Sequence, residues 1–317
     1  MVLIIFTVFF CLAFSSFKHS SDIHYQIVSP KEASVINFDK KQQVPWGVLY
    51  QNQKISYTLT NKFSKVIKVA IMDSGIDEQH EDLENTSIIQ YNAVDLEEPV
   101  FDKLGHGTAI AGIIAANDNE FGLVGVSPHV EILSIKVLND EGKGEFESFV
   151  RGIEWAIDHD ADIINMSFGI MRDDPQLKTA VEKALKHGVI VVAAVGNKMG
   201  SEVEFPAAYK KVISVTGIDS TENIFSLASR GKVDFSTPGK DILSLAPNDQ
   251  YAVYNGTSFA TAHITGTIAN LLLINDYSKN ENINTFIKND LTSHSKDLGN
   301  KGYDNVYGVY GNGSLSN

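Results

Sequence analysis

The stretch VIKVAIMDSGID, residues 66–77, decides how the rest of the chain is read. Val66 to Met72 is apolar and rich in β-branched residues, interrupted only by Lys68, which is the pattern of a buried strand. It stops at Asp73-Ser74-Gly75, residue types that favour turns. Comparable runs follow at Ile132–Val137, Ile163–Asn165, Val189–Val195, Val212–Thr216 and Ile242–Leu245, each bounded by Gly, Asp or Asn. Between them lie His106–Ala116, Glu145–Asp158 and Pro175–His187. In the second of these, Phe146, Phe149, Val150, Ile153 and Ile157 recur at helical spacing. Such alternation predicts an α/β fold of three layers, a mainly parallel sheet with helices on both faces.

A chain of 317 residues with 43% apolar composition can bury a large core. No linker or repeat breaks it after about Gln42, so residues 42–317 read as one domain. A net charge of −13, with no basic run longer than Lys40-Lys41 or Lys210-Lys211, argues against nucleic acid as a partner. Val2 to Phe14 is apolar apart from Thr7, shorter than the roughly 20 residues of a spanning helix. It reads as the core of a secretory signal over residues 1–20, with residues 21–41 as a short pro-segment. Its start lacks Lys or Arg, so a retained anchor, the one route to a membrane, stays open as an alternative. The sole cysteine, Cys11, lies in this segment; its removal leaves no disulfide, thiol nucleophile or cysteine-bound metal.

In open sheets of this kind, ligands sit beyond the carboxyl ends of the strands. Asp73 follows the first strand, His106 opens a helix, Ser167 follows the third strand and Asn197 the fourth. Ser258 stands ahead of the apolar helical stretch Ile264–Ile274. Each has an ordinary reading as a turn former or helix cap. Together they supply what attack on a peptide carbonyl requires. A serine hydroxyl needs an imidazole to take its proton and hand it to the leaving amine. The imidazole needs a carboxylate to hold its tautomer, and the oxyanion needs donors, here the Asn197 amide and the Ser258 backbone N–H.

The blocks AIMDSGID, GHGTAIAG, INMSFG, VVAAVGN and NGTSFATAH, in this order, resemble those of the subtilisin-like serine proteases, from about Gln42 onward. The resemblance implies a triad of Asp73, His106 and Ser258 with Asn197 at the oxyanion. It further implies that Gly142-Lys143-Gly144 and Ser167-Phe168-Gly169 flank a substrate bound as an added strand. It also implies a structural Ca²⁺ held by Gln42, Asp82 and Asn119 with the carbonyls of Asn117, Phe121 and Leu123. Ala109 and Ala262 depart from the usual His and Pro without touching proton-transfer atoms. Phe259 stands where a methionine commonly follows the nucleophile.

Aligning Phe205-Pro206 with the family's aromatic-Pro pair puts Glu204 at the floor of the pocket for P1, the residue on the acyl side of the scissile bond. A carboxylate there favours Arg or Lys, with Lys198 near enough to offset the charge. Lys40-Lys41 precedes the mature-like QQVPWGV, consistent with self-cleavage after Lys41. The minimal pro-segment, short pocket loop and acidic floor resemble the subtilases that remove leaders from lantibiotic precursors. A general degradative protease is the alternative, and an inactive peptide-binding descendant the alternative of another class. The expected partner is a peptide or protein substrate, and the expected state a monomer. No dinucleotide or P-loop glycine motif supports a nucleotide-binding reading.

Overall fold

The computed structural model describes residues 34–35, 41–52, 65–275 and 277–308. The expected signal segment and most of the pro-segment lie outside the described residues. The strands, in chain order, are β1 (Ser34–Val35), β2 (Lys68–Asp73), β3 (Ile88–Asn92), β4 (Glu131–Lys136) and β5 (Ile163–Met166). There follow β6 (Ile190–Ala194), β7 (Ile213–Ile218), β8 (Phe235–Pro238), β9 (Ile242–Ala246) and β10 (Gln250–Tyr254). Seven of them form one sheet in the order β3-β4-β2-β5-β6-β7-β8, every pair parallel.

Successive side chains of a strand point to opposite faces, and the central strands are apolar on both. Val69 and Ile71 of β2 face one core with Ile132, Ile163 and Val192. Helices α2 (His106–Ala115) and α5 (Thr257–Ile274) cover that face. Ala70 and Met72 face the other core with Leu133, Ile164 and Val191, under α3 (Phe146–Asp158) and α4 (Pro175–Lys186). In α3 the buried residues Phe149, Ile153 and Ala156 lie on one stripe, as expected of a surface helix. In α5 every residue but the last is buried, so its apolar length belongs to a core helix and not to a membrane span. Two further α-helices among the described residues are α1 (Trp46–Asn52) and α6 (Ile283–Ser293).

One expected strand lies elsewhere. Ile242–Leu245 is not in the parallel sheet; β9 pairs antiparallel with β10 in a separate sheet of order β1-β10-β9. A parallel crossover needs a dozen or more residues, whereas only Pro247-Asn248-Asp249 separate these strands. Asn248 and Asp249 reverse the chain with φ of 64° and 55°. β10 then leads through Asn255-Gly256 into α5 and Ser258. On its other edge Val253 and Ala252 pair with Ser34 and Val35 of β1.

Candidate active site

The carboxyl ends of β2, β5 and β6 lie side by side; the residues following β5 and β6 meet the start of α5, and the end of β2 meets the start of α2. Asp73, the last residue of β2, is buried. Its Oδ1 accepts the Ser74 N–H at 2.8 Å, and the His106 Nδ1–H faces its two oxygens at 2.8 and 2.9 Å. His106 opens α2 behind Gly105, whose φ of 78° lies in the left-handed region where a side chain is strained. Burial alone would push the His106 imidazole down. Attraction and hydrogen bonding from Asp73, with the charge of Asp102, outweigh it and hold its pKa above the ordinary value.

Asp102 was not among the residues marked by sequence. It is buried, has no ion-pair partner among the described residues, and accepts the Ser74 hydroxyl (2.8 Å), Gly105 N–H (2.8 Å), Thr108 N–H (2.8 Å) and Thr108 hydroxyl (2.6 Å). The same Ser74 oxygen lies 3.2 Å from Asp73 Oδ1, so one hydroxyl connects the two carboxylates. The Lys136 ammonium caps the Ser74 and Phe101 carbonyls at 2.8 and 3.0 Å. The one sequence signal for Asp102 is its place just ahead of a helix start, where an acid satisfies orphan N–H groups.

Ser258 is the second residue of α5. Its hydroxyl donates to the Ser167 carbonyl at 2.7 Å, and the Ser167 hydroxyl donates back to the Ser258 carbonyl at 3.1 Å. Asn165 supports this contact, donating to Ser167 Oγ at 2.8 Å while accepting from Thr265 at 2.9 Å. Among the described residues no hydrogen bond joins Ser258 to His106. The ring of His106 does lie 5.4 Å from that of Phe259, the residue after Ser258. Asn197 accepts both the N–H and the hydroxyl of Thr257 at 3.0 Å through Oδ1. That fixes the amide with its NH₂ as the outward donor.

Ser258, Asn197, Ser167, Gly169, Lys198 and Glu204 border one cavity of about 50 Å³. A Cβ on Gly169 or Gly196 would stand 2.3 or 2.4 Å from Glu204 Oε2, so only glycines admit the carboxylate between them. Burial raises the Glu204 pKa, and the Lys198 ammonium, 3.3 Å from Oε1, acts against that rise. Ser167, Phe168 and Gly169 line this cavity together with Glu204. Gly142, Lys143 and Gly144 do not line it. They form a turn beyond β4, closed by the Asn139 N–H on the Lys143 carbonyl at 2.8 Å, with Gly144 against Phe149.

The six residues of the expected cation site gather around the loop 117–123. Gln42 N–H donates to the Glu120 carbonyl at 3.0 Å, and its side-chain amide to the Asn117 carbonyl at 2.9 Å. Asp82 Oδ2 accepts the Leu123 N–H at 2.7 Å, while Oδ1 is buried with no partner among the described residues. Burial lifts the Asp82 carboxyl to about 6. Asn119 Oδ1 contacts the Phe121 N–H at 3.4 Å, and its Nδ2 is also buried without a partner. An orphaned carboxylate oxygen among amide and carbonyl oxygens fits a hard cation.

The Subtilase family model (peptidase S8) matches residues 64–313. The major intracellular serine protease of Bacillus subtilis (strain 168) is 41% identical over 226 residues, 68% of this chain and 70% of that protein. An intracellular serine protease of Paenibacillus polymyxa is 38% identical over 257 residues, 78% of this chain and 76% of that protein. Subtilisin E of Bacillus subtilis (strain 168) is 36% identical over 291 residues, covering 90% and 73%. With its parallel three-layer fold and this match over most of its length, the chain belongs to the subtilase family and is a serine endopeptidase that acts on peptides or proteins.

Proposed function

We propose that peptide bonds are cut by Ser258, with His106 as general base and acid, Asp73 as its orienting carboxylate and Asn197 as an oxyanion donor. The observation that carries this reading is the locked Asp73–His106 pair, its ring 5.4 Å from that of Phe259, the residue after Ser258, which itself borders a cavity with Asn197. The Ser258 hydroxyl turns from Ser167 to His106 Nε2, gives up its proton and attacks the carbonyl carbon. The developing oxyanion is held by Asn197 Nδ2 and the Ser258 N–H, which has no intrahelical partner at the first turn of α5. His106 then protonates the leaving amine, and water releases the acyl group by the same steps reversed.

The substrate lies as a strand between residues 142–144 and 167–169, and Glu204 selects Arg or Lys at P1. A calcium ion on Gln42, Asp82, Asn119 and the carbonyls of Asn117, Phe121 and Leu123 would bind as a structural cross-link and take no part in catalysis. The fit of a carboxylate-floored, narrow pocket to one basic residue favours a dedicated processing peptidase, with a lantibiotic leader as the substrate, over general degradation. Residues 1–20 direct export and residues 21–41 are removed after Lys41, the mature enzyme acting as a monomer. The names of two relatives place those proteins inside the cell, so cell fractionation is the direct test of export.

A cleavage profile on a peptide library, with Ser258→Ala as control, tests the reading. Basic P1 with activity on a leader peptide and none on casein supports it; broad cleavage of casein favours the degradative alternative. Failure of the purified protein to react with a fluorophosphonate would remove the assigned nucleophile.

A further inference from the structure

Lys198 follows Asn197 directly and sets its ammonium 3.3 Å from Glu204 Oε1. The two partners are held very differently. The Glu204 side chain is 8% exposed, wedged between Gly169 and Gly196, and its N–H is fixed to the Val195 carbonyl at 3.0 Å. The Lys198 side chain is 37% exposed, on a turn with the exposed Met199. The carboxylate is therefore part of the frame, whereas the lysine can swing into water. With the pair formed, the cavity of about 50 Å³ has room for little more than water. A long side chain enters only if the ammonium leaves.

We propose that Lys198 is a latch on the specificity pocket, an internal cation that occupies Glu204 until the charged group of a substrate's P1 residue displaces it. The inference rests on reading Glu204 as the floor of that pocket. Exchange of one cation for another never leaves the buried carboxylate unpaired, the state that costs most. A neutral P1 side chain offers no replacement and would leave the carboxylate buried and unpaired, so it stays outside the pocket whether or not the latch is present. A guanidinium can engage both carboxylate oxygens where the lysine reaches one, so Arg displaces the latch more readily than Lys.

Matched peptides differing only at P1 (Arg, Lys or Phe) test this on wild type, Lys198→Met, Glu204→Gln and the double variant, each counted by fluorophosphonate titration. Lys198→Met keeps the aliphatic stem and removes the charge. The ratio of kcat/KM on Arg to that on Phe is expected to rise about fivefold, the worth of a half-exposed pair. In the Glu204→Gln background the same change is expected to have no effect, and Lys198→Arg is expected to hold the ratio at or below that of wild type. A ratio unchanged or lowered in Lys198→Met overturns the latch. So does an equal rise in the Glu204→Gln background, which would make Lys198 a plain repeller of P1 cations. If Glu204→Gln alone leaves the wild-type ratio where it was, the assignment of the pocket floor falls, independently of Lys198.

Discussion

The Ser258 hydroxyl donates to the carbonyl oxygen of Ser167 at 2.7 Å, and that bond ties the start of α5 to the end of β5. The proposed attack begins by breaking it. Ser258→Ala is expected to lower kcat/KM on the order of 10⁴-fold or more and to abolish fluorophosphonate labelling. The Thr257–Asn197 and Ser167–Ser258 backbone contacts survive in this variant, so its circular dichroism is expected to match wild type. Retained turnover would sink the assignment.

Asp102 accepts four hydrogen bonds around His106 and adds negative charge behind it. His106 must be neutral to take a proton, so kcat/KM falls as pH drops through its raised pKa. Removing the Asp102 charge in Asp102→Asn lowers that pKa, and the acid limb of the profile is expected to move to lower pH. Of the other ionisable groups near this pair, Asp73 faces His106, Tyr254 faces Asp102 and Lys136 caps Ser74; all are retained. If Asp102 were only structural, kcat/KM would fall at every pH with the limb in place.

The proposed calcium site at Asp82 makes a stability prediction. Binding to the folded state alone adds about 2.7 kcal/mol at a concentration 100 times Kd. For a domain of this size that raises the thermal midpoint by about 5 °C. Calorimetry with calcium and with chelator reads it, and Asp82→Asn is expected to erase the difference. Equal midpoints for wild type under both conditions would remove the ion from the proposal.

His263 lies on α5 with Nδ1–H on the Phe259 carbonyl at 2.8 Å and Nε2 buried without a partner among the described residues. Burial lowers its pKa to about 4, below the 6.5 of the unfolded chain. Between these values the unfolded state binds a proton that the folded state refuses, so stability falls as pH drops from 6.5 to about 4. The loss is on the order of 3 kcal/mol for a fully buried imidazole. Urea midpoints across this range are expected to slope less in His263→Gln than in wild type. Parallel slopes would show that other groups set the acid limit.

Phe259 occupies the place after the nucleophile, stacked 5.0 Å from Tyr254, and carries no sulfur to oxidise. Met171 and Met199 are exposed, and peroxide is expected to oxidise them first. Activity is expected to stay largely intact while mass spectrometry records sulfoxide at both. Loss of activity in step with that oxidation would place one of these methionines in the working site.

The residues with chemistry at strand ends, Asp73, Ser167 and Asn197, were legible because a parallel α/β sheet puts every such junction on one side. Composition and periodicity also determined the layers, since strands apolar on both faces need helices above and below. Glu204 was placed by resemblance, and Gly169 and Gly196 show why it can sit where it does. What remained hidden depends on contacts between distant segments. Pattern alone does not separate a parallel strand from a hairpin arm, so β9 was legible as a strand while its antiparallel pairing depends on Asn248 and Asp249 turning the chain. Periodicity does not mark Asp102, because it gains its meaning only when Ser74, Gly105 and Thr108 close around it. The amino-acid order settles which chemistry is available at each junction; the folded chain alone settles which groups stand within 3 Å of one another, because hydrogen bonds and desolvation act at that range.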